Sequence, residues 1–256
     1  MRSRIRSLRL LVLVLACLSL PAAARTMNGA KDVDPLAADV LKAVTEPIRN
    51  AKSYSFRALV TRELLGTNGQ IVTQFSTNRV TICRPDKMRI EFQGRGQAVE
   101  LTFNRGEVVL YAPGPNVYTH FSVPATISAA LDALEKKRNI HLPVRNLLTS
   151  DPGKSLINDL TTAYVVGRTN LFDEKVHHLV FTEPNAEWQM WVTGGAKPRV
   201  RRLQVIDESQ PHKPRTTVDF FDWDFNPIAP PSMFSFTQPK DAKQIDFLPQ
   251  DKEEKP

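Results

Sequence analysis

The feature that most constrains the fold is a hydrophobic period of two that recurs in short segments along the chain. In residues 87–92, Met88, Ile90 and Phe92 alternate with charged residues, so that one face of the segment is apolar. Short turn sequences such as Asn68-Gly69 join the segments and leave no room for parallel crossover connections. The chain is therefore predicted to form an antiparallel β-meander.

The alternation predicts about ten to eleven strands in two groups. The first group runs from Ser53 to the turn at Asn68-Gly69 and then covers Ile71–Cys83, Met88–Phe92, Ala98–Phe103, Val108–Ala112 and Val117–Val123. The second group covers Ala163–Arg168, Lys175–Phe181, Trp188–Thr193, Arg199–Ile206, Thr216–Phe225 and a last short strand at Met233–Thr237.

Helical patterns precede and interrupt the strands. Asp34 followed by Pro35 is typical of a capped helix start, and apolar residues then recur at helical spacing as far as Ile48. An insert at about 124–160 carries an apolar stripe that includes Ile127, Leu131 and Leu134. The fold class is therefore α+β, with a strongly curved antiparallel sheet (an incomplete barrel) closed by a helical lid.

The N-terminus has the layout of a secretory signal peptide. Four arginines precede an apolar run, and a small-residue site ends at Ala24, so we expect residues 1–24 to be removed on export to the periplasm. The alternative is a lipid anchor at Cys17, which lies in an imperfect lipobox. We expect residues 25–248 to form one domain and the charged residues 249–256 to form a disordered tail.

Most of the positive charge belongs to this N-terminal segment. The formal net charge is +7, and removal of four arginines leaves +3 (7 − 4), so the balance does not indicate a nucleic-acid surface. A small basic cluster is interpreted as a charged edge strand, and it consists of Arg199, Arg201 and Arg202.

Patterns typical of catalytic or metal sites are weak. "DPGKS" lacks the first glycine of a phosphate-binding loop. His177-His178 would point to opposite faces of a strand, so that the two rings cannot chelate one ion. Asp222 and Asp224 share a predicted strand face, and paired carboxylates are typical of sugar-cleaving sites. The preferred interpretation is a solvated polar face, because the aromatic residues Phe221, Trp223 and Phe225 occupy the opposite face. We therefore expect no catalytic residues, no metal and no cofactor, and a hydrolase is the least favoured class.

Several motifs resemble the lipoprotein-carrier (LolA/LolB-like) superfamily. They are Arg84-Pro85 in "RPDKMRIEF", Gly106 and Tyr111-Ala112-Pro113 in "FNRGEVVLYAPGPNVYTHFSVP", and the later "WQMWV" and "FSFTQPKDAKQIDF". Over roughly residues 34–248 the chain resembles a family of predicted periplasmic proteins of unknown function in that superfamily. The resemblance implies a curved half-barrel around an apolar cavity, which in the carriers holds the acyl chains of lipoproteins, while relatives bind lipids or sense envelope stress.

The leading hypothesis is a non-catalytic periplasmic protein that binds a lipid or an acylated lipoprotein. The alternative is an envelope protein-interaction or stress-sensor module whose inward side chains meet the helices and fill the interior. The candidate cavity residues are large and apolar, and they are Phe56, Met88, Ile90, Phe92, Leu101, Phe103, Ile127, Leu131, Leu134, Trp188, Met190, Phe221 and Trp223.

Overall fold

The structure, a computed structural model, describes residues 31–247. The predicted signal peptide, Cys17 and the predicted tail at 249–256 lie outside the described residues.

The first half of the described chain contains one long helix and seven strands. In chain order they are β1 (Asp32–Val33), α1 (Pro35–Asn50), β2 (Ser53–Leu65), β3 (Ile71–Cys83), β4 (Lys87–Gly94), β5 (Gln97–Asn104), β6 (Glu107–Ala112) and β7 (Val117–Ser122).

Three helices in the predicted insert separate these strands from the second group. They are α2 (Ile127–Arg138), α3 (Arg145–Leu148) and α4 (Pro152–Ile157). The chain continues with β8 (Thr162–Leu171), β9 (Glu174–Glu183), β10 (Ala186–Thr193), β11 (Val200–Asp207), β12 (Arg215–Asp224), a 3-10 helix (Pro231–Phe234) and β13 (Lys243–Gln244).

All thirteen strands of the described chain belong to one sheet, in the order β1-β8-β9-β10-β11-β12-β2-β3-β4-β5-β6-β7-β13. The sheet is not closed, because its order ends at β1 on one side and at β13 on the other. Both edge strands pair in parallel, and the remaining pairs are antiparallel. The predicted α+β fold with a curved antiparallel sheet is confirmed.

Helix α1 begins where the sequence predicts. The Asp34 side chain accepts a hydrogen bond from the Leu36 backbone N–H at 2.9 Å, and Pro35 occupies the first turn. A proline at position 47 predicts that the end of this helix bends or frays, but the helix continues through Pro47 as far as Asn50 without fraying. The buried face of α1 packs into the hydrophobic core, and it consists of Ala37, Leu41, Val44, Thr45 and Ile48.

Other local predictions need correction. The segment predicted as a strand at Met233–Thr237 is not a strand. Met233 and Phe234 end the 3-10 helix that begins at Pro231, where proline at the first helical position favours a helical turn, and residues 235–237 are irregular. The sequence predicts a helix that begins at Asp151-Pro152 with Leu156 and Ile157 facing inward. Leu156 is buried, but Ile157 is 40% exposed at the end of α4. The basic cluster is not on an edge strand, because β11 lies between β10 and β12.

Candidate ligand cavity

The concave face of the sheet has a packed end, whose side chains share one hydrophobic core with α1 and α2. Tyr54 and Phe56 of β2, Met88 of β4 and Phe103 of β5 are at most 1% exposed there. Leu134 of α2 belongs to the same core cluster. Large apolar side chains on both layers exclude water from this end, and we call it the packed end.

The other end of the same strands carries an open-end cavity of about 520 Å³. Three predicted residues, Ile90, Phe92 and Leu101, are among the residues that line it. Sequence reasoning missed further apolar lining residues on the sheet and in residues 140–143, and they are Val60, Phe75, Val99, Leu110, Ile140, Leu142 and Pro143. The lining is predominantly apolar, which suits an aliphatic chain.

Residues that follow α2, and not the helix itself, line the cavity. Asn139 takes a left-handed conformation with φ of 53°, and its N–H bonds to the Leu134 carbonyl, which terminates the helix. Residues 140–143 then line the cavity in a non-helical conformation, so that a connecting segment and not a helix covers this end of the sheet.

Ion pairs hold the connecting segment to α2. Arg145, at the start of α3, pairs with Asp132 and, at 3.1 Å, with Glu135. His141 Nδ1 lies 3.5 Å from a Glu135 carboxylate oxygen, and His141 Nε2 lies 2.8 Å from the Asn139 side-chain oxygen. The carboxylate of Glu135 therefore contacts His141 within the segment and Arg145 just after it.

Polar residues form the rim of the cavity. The polar lining consists of Arg62, Gln74, Ser76, Asn78, Arg95 and His141. The side-chain oxygen of Asn78 is buried and has no hydrogen-bond partner within the described part of the chain. A buried acceptor without a hydrogen bond destabilises the protein by about 1–3 kcal/mol. A donor on a bound molecule could remove that cost by bonding to this oxygen.

Ten of the predicted cavity residues are buried, namely Phe56, Met88, Ile90, Leu101, Phe103, Ile127, Leu131, Leu134, Trp188 and Met190. Two of these ten, Ile90 and Leu101, line the open-end cavity, and the other eight do not. Phe92, at 36% exposed, also lines it. The structure therefore divides the predicted set between a filled core and a smaller open site.

Phe221 does not join the interior, although strict alternation predicts it there with Trp223. The pairing of β12 with β2 shifts between Phe221 and Asp224, and Asp222 has a positive φ of 52°. Phe220 is consequently fully buried, with its ring centroid 5.5 Å from that of Trp223. Phe221 instead packs with Phe172, and its ring centroid lies 4.7 Å from the Arg201 guanidinium.

The second half of the sheet is more tightly filled near Trp188. The Trp188 and Phe181 rings stack at 3.8 Å, and the indole Nε1–H donates to a Glu183 oxygen at 2.8 Å. Burial raises the pKa of the Glu183 carboxyl above its ordinary value, and the Trp188 hydrogen bond partly opposes that rise. The cavity beside Trp188 has a volume of only about 100 Å³.

The acidic and histidine residues considered for catalysis are structurally engaged. Asp222 pairs with Arg57, and His178 stacks on Trp191 while its Nε2 lies 2.8 Å from the Gln189 side-chain oxygen. Within residues 31–247, no group of three His, Cys, Asp or Glu side chains is arranged to hold a metal. No helix in that range is both long enough and apolar enough to cross a membrane.

Residues 37–248 match a family model described as predicted periplasmic protein (DUF2092). The chain belongs to this family. The match covers most of the chain and confirms both the family resemblance and the periplasmic location. A comparison with curated proteins finds no match.

Solved structures with a similar arrangement are distant in sequence. An uncharacterised conserved protein from Thermus thermophilus has 13% identity and a TM-score of 0.46, covering 82% of this chain and 98% of its own. The Mycobacterium tuberculosis lipoprotein LppX has 9% identity and a TM-score of 0.46, covering 77% and 98%. A LolA superfamily protein from Nitrosomonas europaea has 12% identity and a TM-score of 0.38, covering 78% and 97%. These similarities are too remote to assign a ligand to this family.

Proposed function

We propose that this protein is a non-catalytic periplasmic binding protein that holds an acyl chain, of a lipid or of an acylated lipoprotein, in the open-end cavity. The observation that carries the proposal is that single strands are fully buried at one end and line an open space at the other. The strands that are sealed by helices at the packed end line a space of about 520 Å³ at the other end. That volume lies within the range of about 300–1,000 Å³ that is usual for ligand pockets.

The lining favours an aliphatic ligand over a polar one. Val99, Leu101 and Leu110 contribute from β5 and β6, and Leu142 contributes from the connecting segment. Each methylene that moves from water into such a lining contributes about 0.8 kcal/mol. A chain of about ten methylenes would therefore gain roughly 8 kcal/mol before the cost of immobilising it.

The exposure of Phe92 supports the same conclusion. Its side chain is 36% exposed, although it lies in β4 between strands whose packed ends are solid core. An acyl chain in the cavity would cover this ring and remove apolar surface from water. We therefore expect Phe92 to become more protected when the ligand binds.

The test is to fill the cavity with a larger side chain. Val99→Trp places an indole in the cavity, whereas Val166→Trp makes the same substitution at a β8 position that is 54% exposed and is not among the cavity-lining residues. We expect Val99→Trp to weaken binding of dansyl-labelled undecanoic acid at least tenfold, because the indole occupies the volume that the chain needs. Val166→Trp should bind as the wild type does, and both variants should keep the wild-type circular dichroism.

Fluorescence titration of the three proteins decides between the hypotheses. Equal affinity of Val99→Trp and wild type would show that the acyl chain does not bind in this cavity. Failure of the wild type to bind the probe at all would contradict the proposal and favour the alternative, a protein-interaction module with a filled interior.

A further inference from the structure

The rim of the open-end cavity carries positive charge without a matching negative charge. Arg62, near the end of β2, and Arg95, in the β4–β5 turn, both line the cavity. No aspartate or glutamate of the described chain is among the lining residues. The remaining polar lining residues are Gln74, Ser76, Asn78 and His141, and His141 Nδ1 lies 3.5 Å from a Glu135 carboxylate oxygen.

Neither rim arginine is engaged by the protein itself. Arg89 forms ion pairs with Glu91 and Glu100 on the same sheet. Within the described part of the chain, by contrast, the side chains of Arg62 and Arg95 form no ion pair and no hydrogen bond. Their guanidinium donors are free to bind a ligand.

The strand register places the two arginines within reach of one group. Arg62 lies opposite Gln74 of β3, and Ser76 of β3 lies opposite Gly94, the residue that precedes Arg95. The two arginines are therefore at nearly the same level along the strands and are separated by two strand spacings, about 10 Å between backbones. Two long side chains on either side of that gap can converge on a single anion.

We infer that the ligand of this cavity is an anionic amphiphile, with a phosphate or carboxylate head group between Arg62 and Arg95 and its chain in the cavity. This inference rests on the proposed function and specifies the ligand class. Guanidinium groups donate paired hydrogen bonds that match the oxygens of both anions. The chain is required because both arginines are exposed, and exposed charges alone bind a free anion weakly.

The experiment compares three amphiphiles with the same chain and different heads. Hexadecyl phosphate, hexadecyl phosphocholine and hexadecyl maltoside are tested, below their micelle concentrations, as competitors of the dansyl-labelled probe. Inorganic phosphate is tested alone as a fourth competitor. The proteins are the full-length wild type after export, the variant Arg62→Gln/Arg95→Gln, and the charge-matched control Arg168→Gln/Lys175→Gln. The control changes β8 and β9 positions that are not among the cavity-lining residues.

We expect the wild type and the control to prefer hexadecyl phosphate to hexadecyl maltoside by about tenfold. The preference should fall as salt is added and should vanish in Arg62→Gln/Arg95→Gln, which still binds the maltoside normally. A wild type that binds the maltoside as tightly as the phosphate would overturn the inference and leave the acyl-binding proposal intact. Displacement by inorganic phosphate at the same concentration as hexadecyl phosphate would also overturn it, since the chain would then contribute nothing. If no amphiphile binds, the proposed function itself fails.

Discussion

The two ends of the concave face are built from the same strands but differ in what covers them. In β4, Met88 is fully buried at the packed end, whereas Phe92 is 36% exposed at the open end. In β2, Phe56 is buried, whereas Arg62 reaches the rim. Helices cover the first end, and residues 140–143 cover the second.

A regular strand pattern therefore does not by itself determine whether a sheet face becomes a core. The inward positions of β3 change from Ile82 and Val80 to Asn78, Ser76 and Gln74 along the strand. The change from apolar to polar side chains occurs where the helical cover ends. A core forms where large side chains meet across two layers, and a cavity remains where one layer is missing.

The largest expected effect comes from removing a side chain at the packed end. Leu134→Ala deletes a fully buried side chain of α2 and should lower the free energy of unfolding by about 3–5 kcal/mol, because the surrounding core cannot close the space. Leu142→Ala makes the same change in the partly buried connecting segment and should cost about 1 kcal/mol. Urea denaturation of both variants checks the difference, and equal losses would contradict the division of the face into two ends.

A smaller loss is expected from a single buried hydrogen bond at the packed end. The Tyr54 hydroxyl donates to the Leu147 carbonyl at 3.0 Å, and burial raises the pKa of Tyr54. Tyr54→Phe should therefore cost about 1–3 kcal/mol. Tyr111→Phe removes a hydroxyl that bonds Asn116 at 3.0 Å in a less buried place, and it is the matched control. Thermal unfolding that ranks Tyr111→Phe as the more damaging change would contradict this account of burial.

The cover of the open end is expected to contribute little to global stability. Arg145→Gln removes the pairing with Asp132 and Glu135, and the loss should be about 0.2–1 kcal/mol because the partners are partly solvated. Dissociation of the dansyl-labelled probe should nevertheless become faster, since the connecting segment loses its anchor. Arg49→Gln, which breaks an exposed pair with Glu46 on α1, should leave the dissociation rate unchanged. Stopped-flow measurements check this prediction. Equal dissociation rates for the two variants would show that the connecting segment does not help to retain the ligand.

The smallest effect concerns pH. The pKa of Glu183 is raised above 4.5, so the folded state holds the proton more tightly than the unfolded state. Its charged form therefore destabilises the protein at neutral pH, and this penalty is relieved as the pH falls through the raised pKa toward about 4.5. Glu183→Gln should remove that gain in stability on going from neutral pH toward 4.5, the ordinary pKa of the carboxyl. A stability profile with the same slope in both proteins would contradict the assigned environment of this carboxyl.

The strands and the helical insert could be predicted because period two and period 3.6 are local properties of the sequence. The capped start of α1 at Asp34 was equally local. The edge strands β1 and β13 escaped prediction because each has two residues and depends on a partner far along the chain. The bulge at Asp222 also escaped, since a positive φ at a non-glycine residue reverses the alternation without a sequence signal.

The candidate site was predicted only in part for the same reason. Ile90, Phe92 and Leu101 follow from alternation alone, whereas Ile140 and Leu142 lie in a segment without regular structure. Which inward residues remain uncovered depends on where α2 ends in space. Phe92 and Met88 share a face of β4 but differ in exposure. That difference depends on where the helices lie, and the strand pattern does not contain it.

The central claim is that the open end of the sheet binds an acyl chain, and it is tested most directly on the protein purified from a bacterial periplasm. Native mass spectra and mass spectrometry of an organic extract should be recorded on the same sample. The account predicts one acylated, negatively charged species per protein, and its loss in Val99→Trp. A protein that is bare as purified and that does not take up added hexadecyl phosphate would contradict the account.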